Sequence, residues 1–196
     1  MIGYRFLSAA GALPPPQGLY EMVVASNGIF LRAERPGLRV ILPFSHGQMG
    51  AIPGLQPLSF TVEMTRIPAA RMAEMARISA ASAGEALFYL HFDGLDWSLA
   101  QPEQDAQRCS VAASDPWAAH GYLAEAHSHG EMQAFFSAMD DAEEAAGFRI
   151  FLVFGARGRQ ALARIGVFGW FWLVPLEVVA EAPDGLQDAY GDDGLF

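Results

Sequence analysis

"GYLAEAHSHGEMQAFFSAMDDAEEAAGFRIFLVFG", residues 121–155, decides the fold. It reads as a strand, a connection, a short helix and a second strand. "GYLAEAHSH" is the first strand and carries His127 and His129. "SAMDDAEEAA" is a short acidic helix with Ser137 at its N-cap, Asp140 in its first turn and Gly147 closing it. "FRIFLVFG" is an apolar run of the kind that forms a buried strand. Residues i and i+2 of a strand project from one face, so His127 and His129 point the same way, as two ligands of one ion must. A third ligand at the start of the next helix can swing back toward the strand's end. Two imidazoles and a carboxylate leave one tetrahedral position open, which is the pattern of a catalytic zinc. Such a metal lowers the pKa of water to about 7, and the chemistry still needs a base to move the proton.

Upstream, "AARMAEMARISAAS" is rich in good helix formers, with Pro68 suited to the first turn and Gly84 as the stop. "EALFYLHF" is then a strand that starts at Glu85, bounded by Asp93-Gly94, and residues 93–107 read as a polar loop. Downstream, "ARGR" is a tight connection, and "ALARIGVFGWFWLVPLEVV" supplies two or three more strands. Residues 1–62 form a β-rich extension, its strands separated by the turn signals Asn27-Gly28 and Pro36-Gly37. The domain proper covers 63–180, and 181–196 is an acidic, Gly-rich tail expected to be frayed. Strands mixed with two helices give an α/β or α+β fold.

The bulk numbers narrow the function. The chain has 196 residues and 52% hydrophobic composition, enough for one substantial core. A single cysteine, Cys109, leaves no intrachain disulfide and no cysteine zinc cluster, so metal ligands must be His, Asp or Glu. A net charge of −10 and a pI of about 4.8 give no basic stripe for nucleic acid. The opening "MIGYRFLSAAGALPPP" lacks a signal peptide's charged start and apolar run, and "IGVFGWFWLVPLEVV" is shorter than a spanning helix and is interrupted by Pro175 and Glu177. A soluble cytoplasmic protein is expected, with no membrane partner.

Each part of the histidine stretch has an ordinary reading. Ser137-x-x-Asp140 is also a capping box, and two histidines two apart on a strand are more often structural than metal-binding. The joint pattern H-x-H-x7-S-x2-D is different. This composition produces it by chance in roughly one sequence in three thousand. The capping role does not compete with the metal role, because a capping serine can still face the site. His46, His91 and His120 lack partners at ligand spacing and read as structural or surface residues, although His91 could border the site. The Trp170-Phe171-Trp172 cluster reads as core.

The pattern resembles the JAMM metalloprotease motif of the MPN/JAB family, and the resemblance covers roughly residues 66–180. It implies a mixed sheet flanked by helices, similar to the cytidine deaminases. It implies one zinc per chain held by His127, His129 and Asp140, with Ser137 helping to stabilise the tetrahedral intermediate. The upstream general acid/base falls at Glu85, directly after Gly84. Glu125 is the rival: two before His127, it lies on the same strand face and could support a ligand imidazole or contact substrate. Two departures stand out. Gly130 replaces the proline common after the second histidine, which could loosen that loop. The family's E-x-x-G is Glu85-Ala86-Leu87-Phe88 here, which suggests tighter packing behind the glutamate.

Both departures fit a divergent bacterial branch. "GIFLRAERPGLRVILPF" and "HSHGEMQAFFSAMDDAEEAAGFRIF" are similar to members from PRTRC cassettes, and the JAMM proteases of bacterial ubiquitin-like conjugation operons, some linked to phage defence, are similar too. The resemblance therefore implies an isopeptidase or peptidase cutting after the C-terminus of a ubiquitin-like protein, with that protein or its conjugate, and E1-like or E2-like proteins, as partners. Two alternatives stay open: a non-catalytic MPN-type interaction module, and a hydrolase acting on a sulfur-carrier protein or small peptide.

Overall fold

Gly28 and Gly37 turn the first part of the chain into a meander. At Gly28 a Cβ would lie 2.2 Å from the Ser45 carbonyl oxygen, and φ is +148°, so only glycine fits the turn. In the computed structural model, which describes residues 2–8, 13–47, 52–102, 104–106, 111–113 and 121–191, Met1–Met64 form one compact unit and Thr65–Phe196 another. The first unit is a five-stranded sheet of β1 (Ile2–Phe6), β2 (Tyr20–Ala25), β3 (Gly28–Arg35), β4 (Leu38–His46) and β5 (Thr61–Met64), in that order. β1 and β2 are parallel, which the long connection between them permits, and the other pairs are antiparallel. Leu7, Val23, Ala25 and Phe30 make a small core on this sheet. Glu21 is buried between Arg5 and Arg32, at 3.0 and 3.4 Å, so the buried carboxylate is paired.

In the second unit α1 (Ala69–Ala81) starts after Pro68. It ends at Ser82, two residues before Gly84, where the backbone turns extended (ψ 138°) while the Ser82 N–H and hydroxyl still bond the Ile78 carbonyl. The remaining elements are β6 (Leu87–Phe92), β7 (Trp97–Ala100), β8 (Gln104–Ala106), β9 (Val111–Ala113), β10 (Ala124–Ser128), α2 (Ala138–Glu143), β11 (Phe148–Gly155), β12 (Gln160–Val167), β13 (Trp170–Val174), α3 (Leu176–Val179) and β14 (Gln187–Asp188). The main sheet runs β13-β12-β11-β10-β6-β7, with β14 also on β12. β10–β11 and β12–β14 are parallel and the rest antiparallel. This is the mixed α+β sheet expected from the sequence. β11 and β12 are buried along nearly their whole length, which their apolar runs require.

Three expectations are corrected and one is narrowed. Glu85 does not start a strand: β6 begins at Leu87, and Glu85 sits in the segment leading to it. Residues 93–107 are not simply loop, because the Asp93 carboxylate accepts the Leu95 and Asp96 N–H groups and turns the chain back into β7 on β6. Of the two or three strands expected in "ALARIGVFGWFWLVPLEVV" there are two, β12 and β13, and in place of a third Pro175 starts the short helix α3. The tail is docked as far as Ala189, since the Asp188 carboxylate accepts the Leu176 N–H at 2.7 Å, β14 pairs with β12, and Ala189 is buried beside Ala134, Val153 and Leu162. Residues 192–196 lie outside the described part, as do Cys109 and His120. Among the described residues no helix is long and apolar enough to cross a membrane.

Candidate metal centre

Strand register builds the site. Leu87 on β6 stands opposite His127 on β10. One step further, Ser128 N–H donates to the Ala86 carbonyl and Ala86 N–H to Ser128 Oγ, both at 3.0 Å. The antiparallel register therefore continues past the strand's end and sets Glu85 across from His129, on the face shared by both histidines. On the other side His129 N–H donates to the Phe154 carbonyl at 2.8 Å, so the end of β10 is held from both flanks.

Gly130 then reverses the chain at φ +58°, a value closed to proline. The loop is not loosened by this departure: Arg157 N–H bonds the Gly130 carbonyl at 2.7 Å and Ala156 N–H the Met132 carbonyl at 2.6 Å. Gly155 lets the returning chain lie against the end of β11, where a Cβ would come 2.1 Å from the Ala134 nitrogen. That close approach delivers Ser137 and α2 to the histidines. The other departure places Phe88, with no exposure, behind the glutamate segment.

The ligand atoms converge. His127 Nε2 lies 3.1 Å from His129 Nε2 and 3.2 Å from Asp140 Oδ1, and His129 Nε2 is 3.9 Å from Asp140 Oδ2. All three residues offer an atom within 4.8 Å of the others. A tetrahedral ion with 2.0–2.1 Å bonds needs ligand atoms about 3.3 Å apart; both His127 contacts are near that length and the His129–Asp140 contact is longer, so a divalent metal fits once His129 and Asp140 draw slightly together. The capping box at α2 is complete: Asp140 N–H donates to Ser137 Oγ at 3.2 Å and Ser137 N–H to Asp140 Oδ2 at 2.5 Å. Asp140 thus uses Oδ2 on the helix cap and offers Oδ1 to His127.

The electrostatics suit cation binding. Burial and the charge of His127 push His129 down to about 4, so this imidazole is neutral near pH 7. Burial opposes charge on His127 as well, but the Asp140 bond and the Asp140, Glu144 and Glu85 charges outweigh it and raise its pKa. Burial also opposes charge on Asp140, yet His127 and the Ser137 bonds hold it below the usual carboxylate range. Burial raises Glu85 to about 7, with His127 opposing and Asp140 and Glu143 assisting.

Two residues that sequence reasoning missed stand behind His127. Glu144 Oε1 lies 3.9 Å from His127 Nδ1, and Arg164 from β12 bonds Glu144 Oε2 at 2.6 and 2.9 Å. The available signals were the i, i+4 spacing of Asp140 and Glu144 and a lone arginine inside an apolar strand. Glu125 shares the histidine face as expected, but its carboxylate binds Arg149 at 3.0 Å. His91 is exposed at the far end of β6, edge-on to Tyr122, and His46 is exposed on β4. Trp170 is also exposed, while Phe171 stacks on Arg164. Beside His129 a groove of about 530 Å³ opens between the end of α1 and the turn after the histidines, bordered by Ser82, Gly84, Glu131, Met132 and Arg157.

The family model described as prokaryotic homologs of the JAB domain matches residues 69–180, which run from the first residue of α1 to the end of α3 and include every residue of the metal centre. No curated protein matches the chain.

Proposed function

The chain belongs to the family of prokaryotic JAB-domain homologues, and from that premise we propose that it is a zinc-dependent peptidase or isopeptidase cutting after the C-terminus of a ubiquitin-like protein. The observation that carries this reading is the convergence of His127, His129 and Asp140 on one point with Glu85 on the same face. The two histidines and the aspartate would hold the zinc, which supplies a Lewis acid able to make water a nucleophile at neutral pH. Glu85 takes the proton from the attacking water and gives it to the leaving amine. Ser137 Oγ accepts from Asp140 N–H, so its own hydrogen is left to donate to the developing oxyanion. A complete ligand set favours catalysis over the interaction-module alternative. An extended tail can add backbone hydrogen bonds along a sheet edge such as β7 and enter the groove beside His129. Ubiquitin-like and E1-like or E2-like proteins of a bacterial conjugation cassette are the corresponding partners.

Protein purified without chelator is expected to hold about one zinc per chain and to cleave a ubiquitin-like fusion at the tail. His127→Ala should do neither. Elemental analysis beside a gel assay decides it, and a zinc-free wild type that resists reloading overturns the reading.

Metal uptake should also release protons. His127 carries a raised pKa in the metal-free chain and must lose its proton to ligate, whereas His129 is already neutral above about 4. At pH 6 net proton release is expected, from His127 and, as the cation lowers its pKa, from Glu85, and affinity rises with pH while these groups titrate. Calorimetry in buffers of different ionisation enthalpy measures this; no release at pH 6 contradicts the assigned charge state.

A further inference from the structure

The helix that carries Asp140 has no buried residue. At six residues it is far too short to persist by its own propensity, and no apolar face anchors it. Its position depends on the capping box and on Arg164. This guanidinium bonds Asp141 in the first turn and Glu144 at the C-cap, so it spans the helix from end to end. Arg164 is 3% exposed and Glu144 5%. The rings of Phe136 and Phe171 lie 3.9 Å from its Cζ on either side. Gly166, on the same strand face, makes room for this arrangement: a Cβ there would meet Phe151 Cε2 at 2.5 Å and Phe171 Cε1 at 3.1 Å.

A buried ion pair is a poor device for stability alone, since apolar side chains of similar volume serve as well or better. What apolar side chains cannot do is face an imidazole nitrogen with a hydrogen-bond acceptor held in place. His127 Nε2 is committed to the metal centre, and its Nδ1 looks toward Glu144. His129 differs, because its buried Nδ1 has no partner among the described residues.

We propose that Arg164 and Glu144 are positioning residues of the metal centre: Arg164 holds Glu144 behind His127 Nδ1 and ties down α2, so that His127 Nε2 and the Asp140 carboxylate are presented to one point. Carboxylates placed behind metal-ligating imidazoles fix the tautomer and raise the basicity of the ligating nitrogen. This inference rests on the metal reading of His127, His129 and Asp140.

The test is zinc affinity by chelator competition in the wild type and in Glu144→Gln, which keeps an oxygen acceptor for Arg164 but removes the charge. The expected loss is about 10- to 100-fold. A merely structural pair would lower the melting temperature and leave the affinity of the folded protein within about twofold of wild type, and that result overturns the inference. A second readout needs no variant. In the zinc-loaded wild type, the ring proton on His127 Nδ1 should give a downfield resonance that exchanges slowly with solvent. Ligation through Nδ1, or rapid exchange of that proton, overturns the inference even if Glu144→Gln fails to fold. If the wild type binds no zinc, the metal reading falls and takes this inference with it; if it binds zinc and Glu144→Gln binds equally well, only the positioning role falls.

Discussion

Glu85→Gln is expected to leave metal uptake intact and to slow peptide-bond hydrolysis by on the order of 10²- to 10⁴-fold, the usual range for removing a general acid/base. Glutamine has the same shape and is not being asked to ligate anything. Glu85 is 5% exposed, on the face of both histidines, and burial has already raised its pKa to about 7. A carboxylate so poised can accept a proton and return it within one cycle at neutral pH. A cation held by the neighbouring ligands favours its charged form and lowers that value. The working base is the deprotonated form, so the rate should rise with pH along an acidic limb that lies below about 7. Glu85→Gln should lose this limb together with the activity. Glu125 is the control. It shares the strand face but is held by Arg149, 3.0 Å away. Normal cleavage by Glu85→Gln with a dead Glu125→Gln would reverse the assignment.

Residues whose roles are set by near neighbours in the chain were legible from the sequence. The spacing of two on a strand brought His127 and His129 together, and the three-residue spacing of the capping box put Asp140 in the first turn of a helix. α1 followed from its composition, and the mixed sheet from the run of strands. What stayed hidden depends on distant partners. Arg164 meets Glu144 because β12 lies beside β11 and β11 beside β10, and no local pattern announces that. The tail seemed free because it is acidic and Gly-rich, but Asp188 finds the start of α3 and adds a short strand to β12. Glu125 passed the test of facing the histidines, but alternation along one strand says nothing of Arg149 on the next. The loop after His129 looked weak for want of a proline, yet its rigidity comes from the turn at Ala156 and Arg157, far along the chain.

Ser137→Ala should lower the hydrolysis rate by about 10²- to 10³-fold, the cost of one lost oxyanion donor, and should cost about 0.5–2 kcal/mol of stability as a lost N-cap. The two effects have different origins and can be separated. Glycine at an N-cap costs only a few tenths of a kcal/mol, but it removes the hydroxyl as completely as alanine does. Ser137→Gly should therefore be nearly as slow as Ser137→Ala while melting close to the wild type. The other half of the capping box survives in both variants, because Asp140 Oδ2 accepts from the backbone N–H of residue 137, which any residue but proline supplies. Asp140 then keeps its orientation, and metal affinity should change little. Threonine, which retains a hydroxyl on the same carbon, should restore most of both losses. The decisive comparison is the rate of the glycine variant. If that rate recovers in step with its melting temperature, Ser137 serves α2 as a cap and nothing more; if it stays low while the helix and the metal are intact, the hydroxyl acts on the reacting bond.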